Sequence, residues 1–178
     1  YGISSSSFAT SDVIKNLEYI NLDNCFYIGS KIFTNAHYIS EIILKDCQIV
    51  SDQAFGSGSS LTKVDLRNAY HIGSSAFCNN PKLSDVNVES VMILGQDAFK
   101  NCGMSVLSLP NAVWINNGIT ECKNLRDIYL NSSIKTTFSS DCFNGCNSNL
   151  LIHVPSSQYS RYCIEDGYNY ISVYDENI

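Results

Sequence analysis

Apolar residues return along this chain on a fixed beat. Phe33, Phe55, Phe77 and Phe99 stand 22 residues apart. Ile42, Val64 and Val86 keep the same interval, as do Leu44, Leu66 and Val88. Within a unit the apolar positions alternate with polar ones: Val64 and Leu66 flank Asp65. Residues two apart share one face of a strand, so each unit predicts a short strand with one buried face. A repeat in the low twenties predicts a stacked solenoid, in which a unit buries its apolar face only against its neighbours.

The third unit is the clearest. It opens L-T-K-V-D-L at 61–66, continues R-N-A-Y-H to His71 and ends I-G-S-S-A-F at 72–77. Ala69 stands where a leucine-rich repeat wants a small or hydrogen-bonding residue, and Gly73 is expected to supply an unusual backbone angle at the turn. Leu17, Ile20 and Leu22 open the first full unit, and Leu150 to Val154 form the last strand. The strand ends fall at 22, 44, 66, 88, 109, 130 and 154, so the beat shortens or lengthens only after the fourth unit. Ile119 replaces the phenylalanine of the fifth unit, and an insertion precedes Phe143 in the sixth. Local irregularity is expected in both.

The motifs I-G-S-K-I-F (28–33), I-G-S-S-A-F (72–77), L-G-Q-D-A-F (94–99) and A-F-K-N-C (98–102) resemble the BspA-type, or Treponema-type, leucine-rich repeat. The resemblance covers about Ile3 to Pro155. It implies an α/β-type leucine-rich-repeat solenoid, a right-handed superhelix with about seven parallel strands on its concave face. Short helical or irregular turns are expected on the convex face. The repeats are placed at 1–155, the first one partial, and a C-terminal capping segment at 156–178. In that segment Ser157 is the expected N-cap of a short helix over Gln158 to Cys163. Tyr159, Tyr162, Tyr168, Tyr170 and Tyr174 are expected to cover the open end of the core. Residues Ile3 to Phe8 resemble the middle of a unit, so the chain is expected to be processed or truncated.

Composition narrows the function. The net charge is -6 and the 11 Lys and Arg are scattered, which argues against nucleic acid and anionic lipid. No long apolar run predicts a membrane span. Eleven tyrosines and only 16% charged residues suit recognition through hydrogen bonds and aromatic faces.

The eight cysteines mostly keep the beat. Cys25 and Cys47 share a column with Ala69, and Cys102, Cys122 and Cys146 share another. They read as buried free thiols, because stacked strands hold Cβ atoms farther apart than a disulfide needs. Cys78, Cys142 and Cys163 lie off these columns and read as the more reactive thiols. His37, His71 and His153 lie in separate units with no metal or nucleophile spacing. No catalytic residue, metal ligand or cofactor is therefore expected. Trp114 has two registers: counted back from Ile119 it joins the core column of Ile72 and Leu94, and counted forward from Leu109 it lies on the flank.

The outward strand positions supply the candidate binding face. They include Tyr19, Ile43, Lys63, Asp65, Arg67, Asp85, Asn87 and Tyr129, a polar centre with apolar anchors. Equally, they form a soluble face whose charges cancel across strands. Charge reversal at Lys63 and Arg67 is expected to weaken binding and to leave stability nearly unchanged. The resemblance implies a non-catalytic protein- or glycan-binding module of a cell-surface or secreted adhesin-like protein. Host extracellular matrix or another cell surface would be its partner. A structural spacer in a longer array and a solenoid polysaccharide-active enzyme are the alternatives.

Overall fold

Two short strands and two turns make each coil. The computed structural model describes residues 2–3, 16–22, 24–34, 36–160, 162 and 171–174. In chain order the strands are β1 (Gly2–Ile3), β2 (Tyr19–Asn21), β3 (Tyr27–Ile28), β4 (Glu41–Ile43) and β5 (Ile49–Val50). Next come β6 (Lys63–Asp65), β7 (His71–Ile72), β8 (Asp85–Asn87), β9 (Ile93–Leu94) and β10 (Val106–Ser108). The last are β11 (Trp114–Ile115), β12 (Asp127–Tyr129), β13 (Thr137–Phe138), β14 (Leu151–Pro155) and β15 (Ile171–Tyr174). All pair in parallel, which gives a β-solenoid of leucine-rich-repeat type with little helix.

The even-numbered strands β2 to β14 are the seven that the apolar beat predicts. They form a wide ladder, with the central residue of each buried: Ile20, Ile42, Val64, Leu107, Ile128 and Ile152. Val86 in β8 is the exception and is only partly buried. The ladder is not continuous. It divides into β2-β4-β6-β8 and β10-β12-β14-β15, with a break between the fourth and fifth coils. This is where the repeat first drops from 22 residues to 21. The lost residue lies in the return segment, where Gly103 alone separates Cys102 from Met104, while Pro81 and Lys82 separate Asn80 from Leu83.

Behind the wide ladder the structure differs from the expected helical or irregular turns. The odd-numbered strands β1 to β13 make a second, continuous seven-stranded sheet. Each contributes two residues, and in β3 to β13 the first faces out and the second is buried, as in Ile93 and Leu94. A strand of two residues is too short for alternation to be visible in the sequence. Among the described residues a 3-10 turn at Ser156–Gln158 runs into helical residues Tyr159 and Ser160. The N-cap of the 3-10 turn is Pro155, with no side-chain cap bond, and Arg161 and Cys163 of the expected helix lie outside the described residues.

The core between the ladders is a set of columns. Phe33, Phe55, Phe77 and Phe99 stack as expected, at centroid separations of 5.0, 5.3 and 5.4 Å with interplanar angles of 10° or less. Ile119 continues the column, fully buried. Phe143 ends it and packs edge-on against Phe138 at 5.2 Å and 61°. The irregularity expected in the sixth unit is therefore present. Beside this column a second one donates hydrogen bonds to its carbonyls from one coil further on. Asn80 Nδ2 reaches Phe55 O at 3.1 Å, Cys102 Sγ reaches Phe77 O at 3.2 Å and Cys122 Sγ reaches Phe99 O at 3.0 Å. Cysteine suits this place because it is small, apolar and still a weak donor.

The turns also repeat. Lys31, Gln53, Ser75, Asp97 and Asn117 all have φ between 46 and 59°, and Ser57, Asn79, Asn101 and Glu121 between 54 and 64°. The second to fifth coils so hold left-handed residues at two corresponding places. The strained position near Gly73 is Ser75, not Gly73 itself as the sequence reading had it. Gly73 is required for close approach: a Cβ there would lie 2.5 Å from Asp52 Oδ1 and 2.7 Å from its backbone nitrogen.

Candidate functional site

The wide ladder holds the outward columns in register. Tyr19, Glu41, Lys63 and Asp85 are successive partners, and so are Asn21, Ile43, Asp65 and Asn87. Six of the eight sequence-predicted residues therefore lie on the strands of the first half of the ladder, and Arg67 lies in the turn after β6. Tyr129 lies on the second half, beyond the break, in the row Ser108, Tyr129 and His153. Tyr19 and Tyr129 are exposed, and Ile43 is partly covered.

The central charges are turned toward each other. Lys63 Nζ lies 3.5 Å from Asp85 Oδ2, and both side chains are open to solvent. Arg67 grips Asp65 with two bonds, from Nε to Oδ1 at 3.1 Å and from Nη2 to Oδ2 at 2.6 Å. Asp65 is only 7% exposed. The hydrogen bond from Arg67 lowers its carboxyl below the usual carboxylate range, although burial acts the other way. Arg67 is thus the clamp of a buried carboxylate, and its reversal would set two carboxylates face to face. The expectation that reversing Arg67 leaves stability nearly unchanged does not fit this geometry.

The depressed value gives a pH prediction. The unfolded carboxyl titrates at about 3.9, so the contribution of Asp65 is complete above that pH and is lost as the pH falls through the lower folded value. Asp65→Asn should therefore be less stable than wild type at neutral pH, with the gap closing in acid. Urea unfolding at pH 7 and pH 3 measures this, and a gap of equal size at both pH values would contradict it.

On the second half of the ladder Tyr129 stacks on His153, with centroids 4.4 Å apart and planes 13° from parallel. His153 Nε2 in turn lies 2.7 Å from Asp127 Oδ1. These three make a polar-aromatic cluster that the sequence reading found only in part. It had named Tyr129 and dismissed His153 as lacking catalytic or metal spacing.

Trp114 takes the flank register. It opens β11, is 42% exposed and pairs with Ile93, while Ile115 enters the core beside Leu94. The count back from Ile119 failed because the following turn is one residue short: four residues lead from Ile115 to Ile119, against five from Leu94 to Phe99.

A shallow cavity of about 280 Å³ opens on the turns of the fourth to sixth coils, lined by Asp97, Lys100, Asn117, Glu121 and Asp141 among others. The sequence reading missed it, since its walls come from turns two coils apart. The recurring polar residues at the left-handed positions are the signal that could have found it. In its wall Lys100 Nζ lies 3.3 Å from Glu121 Oε1, and Thr120 Oγ1 donates to Asp97 at 2.9 Å. Among the described residues no group of three or more His, Cys, Asp and Glu could hold a metal ion.

The seven described cysteines are free thiols, and Cys25, Cys47, Cys102 and Cys122 are buried as expected. Burial pushes Cys47 and Cys102 up to about 12. The ranking of reactive thiols changes. Cys142 is buried and pushed up to about 12, and Cys78 is also raised. Cys146 is partly exposed, and the neighbouring Cys122 thiol lowers it. Cys163 lies outside the described residues.

With this geometry in place, comparisons with known proteins are informative. The family model described as BspA type Leucine rich repeat region matches residues 1–105 and 48–166, in six copies. A search of curated proteins gave no match. Among solved structures the pneumococcal vaccine antigen PcpA is similar, with a TM-score of 0.47 and 14% identity, over 92% of this chain and 57% of that one. This chain accordingly spans less than two thirds of that protein's length.

Proposed function

Because the chain belongs to the BspA-type leucine-rich repeat family, we propose that it is a non-catalytic binding module of a cell-surface or secreted protein. Its partner is a protein or a glycan, and its contact surface is the outward face of the wide ladder. One observation carries the reading. Tyr19, Ile43 and the Lys63–Asp85 pair stand in adjacent, register-locked rows above a fully packed core. A surface preformed in this way loses little entropy on binding. Seven rungs about 4.8 Å apart span about 29 Å, room for an interface of about 800 Å² per partner. Asp65 and Arg67 stiffen the centre of that face, and Tyr129 extends it beyond the break.

The test uses the purified chain on immobilised extracellular-matrix proteins and on a glycan array. Saturable binding is expected. Lys63→Glu combined with Tyr19→Ala should weaken it and flatten its salt dependence, while the melting temperature holds, since both side chains are open to solvent. If the double variant binds as wild type does, the wide face is not the contact surface. If wild type binds nothing on either support, the internal pairing of the charges favours the spacer reading instead.

A further inference from the structure

The narrow ladder carries a surface of a different kind. Its outward residues, with the residue that precedes each strand, occupy positions 26–27, 48–49, 70–71, 92–93 and 113–114. These ten positions hold no Asp, Glu, Lys or Arg. Backbone bonds from Gln48 to Phe26, Tyr70 to Gln48, Met92 to Tyr70 and Val113 to Met92 keep the five rungs in line. None of the ten is buried. The result is an uncharged strip of mostly aromatic and aliphatic residues, with Gln48 and His71 among them.

The strip has an internal period. The first rung is aromatic through Phe26 and Tyr27, the third through Tyr70 and the fifth through Trp114, all exposed. The second and fourth rungs present Ile49, Met92 and Ile93 between them. Aromatic ridges therefore recur every second rung, about 9.6 Å apart at the spacing of paired strands. A polyproline II helix repeats every three residues, about 9.3 Å. Two turns of it, about 19 Å, match the four intervals between Phe26 and Trp114.

We propose that the narrow ladder binds a proline-rich segment in the polyproline II conformation. Proline rings pack on the aromatic ridges, with the aliphatic rungs as the floor between them. The polyproline backbone makes no hydrogen bonds of its own, so its carbonyls can accept from the Trp114 indole N–H, the Tyr27 and Tyr70 hydroxyls and the Gln48 amide. Such a ligand is already ordered, and aromatic-lined surfaces exploit this. An uncharged strip suits an uncharged peptide. Size decides against a second copy of this chain. About 19 Å by two residues, roughly 7 Å, falls far short of the roughly 800 Å² a stable partner face needs. Gly2 and Thr137 bound the strip at its two ends, in register with Tyr27 and Trp114.

Trp114 is the single tryptophan of the chain, so its fluorescence reports on the strip alone. Titration with decaproline should change the emission saturably, and a Gly-Ser peptide of equal length should not. In an anisotropy assay with labelled decaproline, Trp114→Ala and Tyr70→Ala should each weaken binding about tenfold or more. Lys63→Glu, on the other ladder, should leave it unchanged. No saturable response to decaproline overturns the proposal. So does a response to cellohexaose in its absence, which would assign the strip to a glycan. So, too, does a dimer that Trp114→Ala dissociates and decaproline does not disturb.

Discussion

Phe77→Ala is expected to lose about 3–5 kcal/mol of stability, a large part of the roughly 5–15 kcal/mol that holds a domain together. Phe77 is wholly buried and stacked on both sides, 5.3 Å from Phe55 and 5.4 Å from Phe99. Truncation opens a cavity in the middle of the phenylalanine column. In a solenoid stability is close to a sum of unit and nearest-neighbour terms, so the lost contacts lie at the interfaces of the third coil with the second and the fourth, inside the first half of the array. Urea unfolding should show a lower midpoint. A lower slope as well would show that the halves unfold separately. Phe77→Leu, which keeps most of the volume, should lose less. If Phe77→Ala unfolds at the wild-type midpoint, the column does not carry the stability assigned to it.

Gly103→Ala is the second large effect, about 2–3 kcal/mol from forced overpacking. A Cβ at Gly103 would press on the carbonyl oxygen of Pro81 and lie 3.0 Å from its carbonyl carbon and 3.3 Å from Leu83 O. These are backbone atoms of the neighbouring coil, so relief requires the coil itself to move. Gly56→Ala is the control. Its Cβ would meet nothing closer than Ser75 O at 3.3 Å, and a smaller unfolded ensemble offsets the contact. Thermal denaturation of the two variants should separate them clearly. Equal melting temperatures would show that the return segment at Gly103 has slack.

What the sequence made legible follows from period and burial. The wide ladder was readable because one buried face and a 22-residue beat both point to Val64 and Leu66. The phenylalanine column was readable for the same reason. The narrow ladder was not, since His71–Ile72 or Ile93–Leu94 shows no alternation in isolation. Trp114 was misplaced in one of its two registers by a single missing turn residue. The candidate residues divide between the two parts of the wide ladder and the turn after β6, and the pairing of Asp65 with Arg67 was not anticipated. They stand two apart in sequence and on the same face, so period two alone could have suggested it. The Tyr129–His153 neighbourhood was legible, because the strand ends at 130 and 154 already make residues 24 apart partners across the insertion; the ring stacking and the bond to Asp127 were not.

The donor column beside the phenylalanines has a chemical consequence. A thiol chosen for its hydrogen bond is also a thiol withheld from oxidation. Thiol–disulfide exchange runs through the thiolate. Burial pushes Cys102 in that column up to about 12, and Cys47 and Cys142 outside it likewise, so little thiolate is present at neutral pH and exchange slows with the thiolate fraction. The chain can carry these cysteines into an oxidising medium and keep its coils unlinked. Disulfide scrambling, the usual hazard of a chain with many cysteines, is suppressed at these positions by the packing that folds it.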